Sequence, residues 1–221
     1  KRLSKKKYVS NESKRYRISY EKFDLIIFYI KGNFMRLNNK TAIVTGGASG
    51  FGKGIVEKFI EEGANVVIAD INYDSAKELE ESIGKNAFAV KVDVSEKNDV
   101  DNMINKSVEH FSEVNILVQN AAIGMKPQPL LETSEELFDK LFAINVKSVF
   151  LGAKAIIPLF KKQGKGGVIL NTVSTAALRP RPGLTVYNST KGALIPMTKA
   201  LALEVSEFNI RVNGICPVAG E

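Results

Sequence analysis

Thr45-Gly46-Gly47-Ala48-Ser49-Gly50-Phe51-Gly52 follows a short β-branched run at 41–45 and precedes a stretch of helical periodicity at 53–62. A glycine-rich turn between a strand and a helix allows a tight bend. It also lets the backbone approach a pyrophosphate closely, with the helix N-terminus facing the anion. The spacing is G-x-x-x-G-x-G across Gly46, Gly50 and Gly52, not the commoner G-x-G-x-x-G. A turn of this kind alone is weak evidence, because a plain strand–helix turn has the same composition. Asp70 strengthens it. It ends the next apolar run, 24 residues after Gly46, where a carboxylate accepts hydrogen bonds from adenosine ribose hydroxyls and repels a 2′-phosphate. A nicotinamide dinucleotide is implied, with NAD favoured over NADP.

Outward from this turn, short apolar runs alternate with helical periodicity. Strands are expected at 41–45, 65–70, 87–92, 115–119, 167–173 and 210–216, and helices at 53–62, 73–82, 96–111, 134–162 and 186–208. Near-continuous apolar strands suit a parallel sheet covered on both faces, and the alternation predicts a doubly wound α/β fold. Thr133 and Glu136 are spaced as a capping box for the fourth helix, with Gly164 as its stop. No internal repeat or interdomain linker interrupts the pattern.

A second constellation lies further on. Tyr187 and Lys191 stand four apart, one helical turn, and Ser174 lies thirteen residues upstream at the end of a strand. A phenol is a poor base near neutrality unless a cation stabilises its ionised form. One ammonium at about 4 Å is worth about 4 kcal/mol at an effective dielectric near 20. Lys191 is spaced to supply that charge to Tyr187, with Ser174 bonding the substrate oxygen. Tyr73 and Lys77 share the same spacing but lack a partner serine, and are expected to be inert.

These residues together resemble the short-chain dehydrogenase/reductase superfamily, from about Leu37 onward. Thr45–Gly52 resembles its T-G-x-x-x-G-x-G turn, and Asp93-Val94 its acidic adenine-positioning pair. Asn120-Ala121-Ala122 stands where the family has the end of Asn-Asn-Ala-Gly, and Arg211-Val212-Asn213 with Pro217 resembles its sixth-strand segment. The resemblance implies a Rossmann-type sheet of order 3-2-1-4-5-6 and a catalytic group of Asn145, Ser174, Tyr187 and Lys191. By the same resemblance Asn145 holds a proton-relaying water, Lys191 and Tyr187 also meet the cofactor, and the members resembled are 3-oxoacyl-carrier-protein reductases and glucose-dehydrogenase-like enzymes. The cofactor-binding set becomes Thr45, Gly46, Ser49, Gly50, Phe51, Gly52, Asp70, Asp93, Val94, Asn120, Ala121, Ala122, Tyr187, Lys191 and Pro217. Two departures stand out: Gln119 and Ala122 replace an Asn and a Gly. The family also continues past the position of Glu221, so a last strand and helix are expected to be missing, with loss of activity or solubility.

The chain carries a net charge of +7, yet the first 34 of its 221 residues hold ten of its 31 basic and three of its 24 acidic groups, leaving 21 of each beyond. The charge belongs to a tail. Residues 1–34 are expected to be a disordered or non-native basic extension, with Met35 as the natural start of a cofactor-binding domain over 35–221; a membrane-surface or nucleic-acid role for the tail is the alternative. The apolar stretch 25–30 is far too short to span a bilayer, and no small-residue cleavage site follows it. The single Cys216 precludes an intrachain disulfide, and a glycan on the sequon at Asn188 would sit between Tyr187 and Lys191; both suit the cytoplasm. One histidine, His110, leaves no metal site to build. Arg179 and Arg181 read as solvated loop residues, or as partners for an acidic substrate group. The expected function is hydride transfer between NAD(H) and a secondary alcohol or ketone by a homodimer or homotetramer without nucleic-acid or membrane partners. NADPH-dependent 3-oxoacyl-carrier-protein reduction and a non-catalytic dinucleotide sensor remain as alternatives.

Overall fold

Alternating apolar strands leave their backbone groups to be satisfied by neighbours, and here six of them pair. The computed structural model describes residues 35–218, so the basic extension lies outside the described residues. The strands are β1 (Thr41–Thr45), β2 (Asn65–Asp70), β3 (Ala87–Lys91), β4 (Ile116–Gln119), β5 (Gly167–Thr172) and β6 (Ile210–Ile215). They form one sheet of order β3-β2-β1-β4-β5-β6, every pairing parallel. This is the doubly wound, Rossmann-type topology. Its helices are α1 (Gly50–Glu61), α2 (Tyr73–Ile83), α3 (Lys97–Phe111), α4 (Glu135–Phe142), α5 (Ser148–Gln163) and α6 (Thr185–Glu204).

The period of two along each strand divides the core. Ile43, Val67, Leu117 and Ile169 meet Met103 and Ile104 of α3 and Ile156 and Phe160 of α5. Ala42, Val44, Val66, Ile68 and Val118 turn the other way, to Val56 of α1 and Ala76 and Leu79 of α2. Each fully buried Ile, Leu or Val contributes about 1.5–3 kcal/mol through lost apolar exposure. The stretch Glu135–Gln163 is long and apolar enough to cross a membrane by composition. Burial of Leu141, Val149, Leu151, Ile156 and Phe160 accounts for that apolarity in the fold.

Strand ends fall within a residue or two of the sequence reading, but three helices differ. α1 begins at Gly50, not 53, because an N-terminal turn already leaves its N–H groups unpaired and tolerates glycine. The helix expected at 134–162 runs over Glu135–Gln163 but contains a π turn, Ala143–Lys147, between α4 and α5. Its cap is Ser134, whose side chain accepts from Leu137 N, instead of Thr133. Gly164 ends α5 in a left-handed conformation at φ +67°, as its position predicts. The last helix stops at Glu204, and residues Ser206–Phe208 form a separate 3₁₀ turn.

Candidate active site

In a sheet of this order, β2 and β4 flank β1 and the chain departs in opposite directions from it, leaving a crevice beyond the strand C-termini. A cavity of about 680 Å³ lies there. Gly46, Ser49 and Phe51 line it where the first turn enters α1. Ser49 caps α1 without a side-chain hydrogen bond, and the first turn holds no acidic residue. Free N–H groups and the positive end of the helix dipole therefore remain for an anion. Gly46 takes φ +62°, and a Cβ on Gly52 would stand 1.8 Å from the Gly46 carbonyl oxygen. Only glycine allows α1 to pack on this turn. Gly50 also has positive φ, at +50°.

Asp70 shares the cavity wall, and its carboxylate is fixed at both oxygens. Oδ2 accepts from Ala48 N at 3.0 Å and Oδ1 from Asn72 N at 3.0 Å. Spare lone pairs remain on both oxygens for ribose hydroxyls. Asp93 and Val94 line the same wall, and Asp93 Oδ1 accepts from Ser95 N and Oγ. These donors and acceptors fit a dinucleotide: an open helix N-terminus for its phosphates, a fixed carboxylate for its ribose.

Across the crevice, Asn120, Ala121, Ala122, Ser174, Tyr187, Lys191 and Pro217 line the cavity. Tyr187 lies in the first turn of α6 and Lys191 one turn on. The ammonium of Lys191 donates to Thr172 O at 2.8 Å. Its side chain is 3% exposed, and burial pushes its pKa down from 10.5 to about 8. Ser174 Oγ accepts from Ala176 N at 3.1 Å, which leaves its hydroxyl hydrogen for a substrate oxygen. Thr175 N donates to Pro217 O at 3.1 Å, joining the segment after β6 to this wall.

Four residues from the sequence-based set stand behind the lining: Thr45, Gly50, Gly52 and Asn145. Thr45 Oγ1 accepts from Asn120 N and Ala121 N at 3.0 and 3.1 Å, so it shapes the wall that those residues present. Asn145 sits in the π turn, an arrangement common at functional sites. Its Oδ1 accepts from Ile123 N, and its Nδ2 donates to Ile123 O and Thr190 Oγ1. The side chain thus braces the β4 loop against α6, one residue from Lys191. Gln119 lies off the cavity as well. Its Nε2 donates to Asn171 Oδ1 at 3.1 Å, and Asn171 Nδ2 donates to Thr198 Oγ1 at 2.9 Å, a buried chain from β4 to α6. A Cβ on Gly152 would meet Gln119 Oε1 at 2.2 Å, so Gly152 makes room for the longer amide.

The sequence reading missed Ile123, Lys140, Ile144, Thr172 and Leu184, which also line the cavity, and Arg181 joins them. Tyr73 is exposed on α2, and Lys77 pairs with Glu80 at 2.8 Å; neither lines the cavity. His110 is a surface residue stacked on Phe88 at 4.1 Å. Among the described residues no cluster of His, Cys, Asp and Glu could hold a metal ion.

The model of the short chain dehydrogenase family matches residues 40–220. The chain belongs to that family. Among short-chain dehydrogenases it is 37% identical over 184 residues to 3beta-hydroxysteroid dehydrogenase 2 of Eggerthella lenta, covering 82% of this chain and 71% of that one. Sorbitol dehydrogenase of Cereibacter sphaeroides is 37% identical over 183 residues, with 83% and 71% covered. The crystal structure of 3-ketoacyl-(acyl-carrier-protein) reductase from Brucella melitensis complexed with NADH superposes with a TM-score of 0.82 at 44% identity, covering 84% of this chain and 78% of that one. The protein is an NAD(P)-dependent oxidoreductase of alcohols and ketones, acting on small-molecule substrates.

Proposed function

We propose that the enzyme uses NAD(H) in preference to NADP(H) to interconvert a secondary alcohol and its ketone, with Tyr187 exchanging the substrate proton. One observation carries this reading: a single cavity joins an uncapped helix N-terminus and the fixed carboxylate of Asp70 to Ser174, Tyr187 and Lys191. A bound nicotinamide supplies the hydride acceptor in oxidation and the donor in reduction. In oxidation, with the bound nicotinamide taking the hydride, the phenolate oxygen of Tyr187 would accept the substrate hydroxyl proton and Ser174 would donate a hydrogen bond to the developing carbonyl. Reduction runs the same transfers in reverse. Lys191 supplies positive charge beside Tyr187, and Asn145 acts as a brace for the helix that carries both.

Asp70 supports NAD because its carboxylate repels a 2′-phosphate and is held too firmly to swing away. NADPH-dependent 3-oxoacyl-carrier-protein reduction, the second reading, draws on the 44% identity to the Brucella reductase for its substrate, although that structure holds NADH. Against a sensor without turnover stand Ser174, Tyr187 and Lys191, all at one cavity. A cytoplasmic homo-oligomer fits the lone Cys216 and the exposed Phe138 and Phe150 on α4 and α5. The test is NADH formation from a panel of secondary alcohols, with NADP⁺ in parallel: turnover faster with NAD⁺ supports the proposal, and binding of NADH without turnover of any alcohol favours the sensor.

A further inference from the structure

The cavity is electrically lopsided. Its lining carboxylates are Asp70 and Asp93, at the ends of β2 and β3. Its other charged members, besides the buried Lys191, are Lys140 in the last turn of α4 and Arg181 in the loop before α6. Sheet order places β2 and β3 to one side of β1, and β4 and β5, whose following segments carry Lys140 and Arg181, to the other. The cofactor end is therefore acidic and the substrate end basic. Neither Lys140 nor Arg181 is ion-paired among the described residues.

Arg181 is held in place. Pro180 and Pro182 flank it, fixing φ on both sides. Its carbonyl accepts from Asn188 Nδ2 at 2.9 Å, which ties the loop to the first turns of α6 next to Tyr187. Gly183, at φ +76°, offers its carbonyl to Gln128 N at 3.0 Å, which ties the loop to the segment after β4. The guanidinium is thus carried on a stiff backbone pinned on two sides. The apolar side chains of Ile123, Ile144 and Leu184 line the same cavity.

Resting on the oxidoreductase reading above, we propose that the substrate is anionic: a carboxylate, or a sulfonate of the same charge, joined by an apolar stem to the reacting carbon and held by Arg181 and Lys140. A guanidinium fork matches a carboxylate bidentately, whereas an ammonium acts as a point charge. Arg181 therefore carries the specificity and Lys140 adds attraction.

The test uses oxo-acids of increasing length, levulinate first, each against its neutral methyl ester. Binding to the protein–NADH complex is read by NADH fluorescence, and turnover by NADH consumption. The wild type is expected to favour at least one acid over its ester by about tenfold, the scale of one charge-assisted hydrogen bond near the surface. Arg181→Gln is expected to collapse that ratio and Lys140→Gln to reduce it. Arg179→Gln removes the same charge from the same loop outside the cavity lining and is expected to leave the ratio intact. Esters bound as tightly as acids throughout the series, or equal effects of Arg181→Gln and Arg179→Gln, would overturn the proposal. Failure of the parent reading looks different: NADH binds, yet no substrate, acid or ester, is turned over by the wild type.

Discussion

Lys191→Met separates stability from activity, and the structure fixes the sign. The ammonium of Lys191 is buried, and burial lowers its pKa from 10.5 to about 8. At about 1.4 kcal/mol per unit, keeping it charged in the folded state costs roughly 3 kcal/mol near neutrality. Below about pH 8 the lysine is protonated in both states and this cost is present in full. Between the folded and unfolded values the unfolded chain binds more protons, so stability rises with pH, and above 10.5 the contribution levels off. Methionine removes the cost but also the donor to Thr172 O, a loss of about 1–3 kcal/mol that does not depend on pH. In urea unfolding without cofactor, at one protein concentration, the variant is expected to match or exceed the wild type near pH 7. It is expected to fall below the wild type near pH 10.5, the difference moving by about 3 kcal/mol across the window. Titration of groups not coupled to Lys191 cancels in the difference. A difference constant with pH would refute the buried-charge account of Lys191.

Asp70→Ala should narrow the gap between NAD and NADP affinities, chiefly by relieving repulsion of the 2′-phosphate, as read by fluorescence titration of both reduced cofactors; NADP affinity unchanged by the substitution would remove Asp70 from cofactor choice. Gly52→Ala drives a Cβ into the Gly46 carbonyl and should cost about 1–3 kcal/mol or more in urea unfolding, with a large loss of cofactor affinity. Gly54→Ala, two residues on in the same helix with open space around it, should instead stabilise by about 0.5–1 kcal/mol.

The strand sequence and sheet class were legible because the central strands are near-continuous apolar runs covered on both faces, as in residues 66–69 of β2 and 116–118 of β4, whereas β6 alternates apolar and polar residues. Ser174, Tyr187 and Lys191 were legible by their spacing. The π turn at Ala143–Lys147 was not, since one widened turn barely disturbs apolar periodicity over so long a stretch. Helical glycines at Gly50 and Gly52 hid the start of α1, because propensity disfavours glycine where the positive φ of Gly50 and the close packing of Gly52 favour it. The structural duty of Asn145 and Thr45 depends on partners 45 and 75 residues away. No local pattern encodes such pairs. The same holds for Lys140 and Arg181, which share a wall only because the segment after β4 and the loop before α6 meet above the sheet.

The central claim is that Tyr187 carries the substrate proton in NAD-linked hydride transfer. Its most direct test follows hydride transfer from a secondary alcohol to NAD⁺ in the wild type and in Tyr187→Phe, with Tyr73→Phe as the control for an exposed tyrosine of the same spacing. The expected result is a loss of turnover of about 100-fold or more in Tyr187→Phe, with NAD affinity within about twofold and Tyr73→Phe unchanged. Turnover by Tyr187→Phe near the wild-type rate would contradict the account.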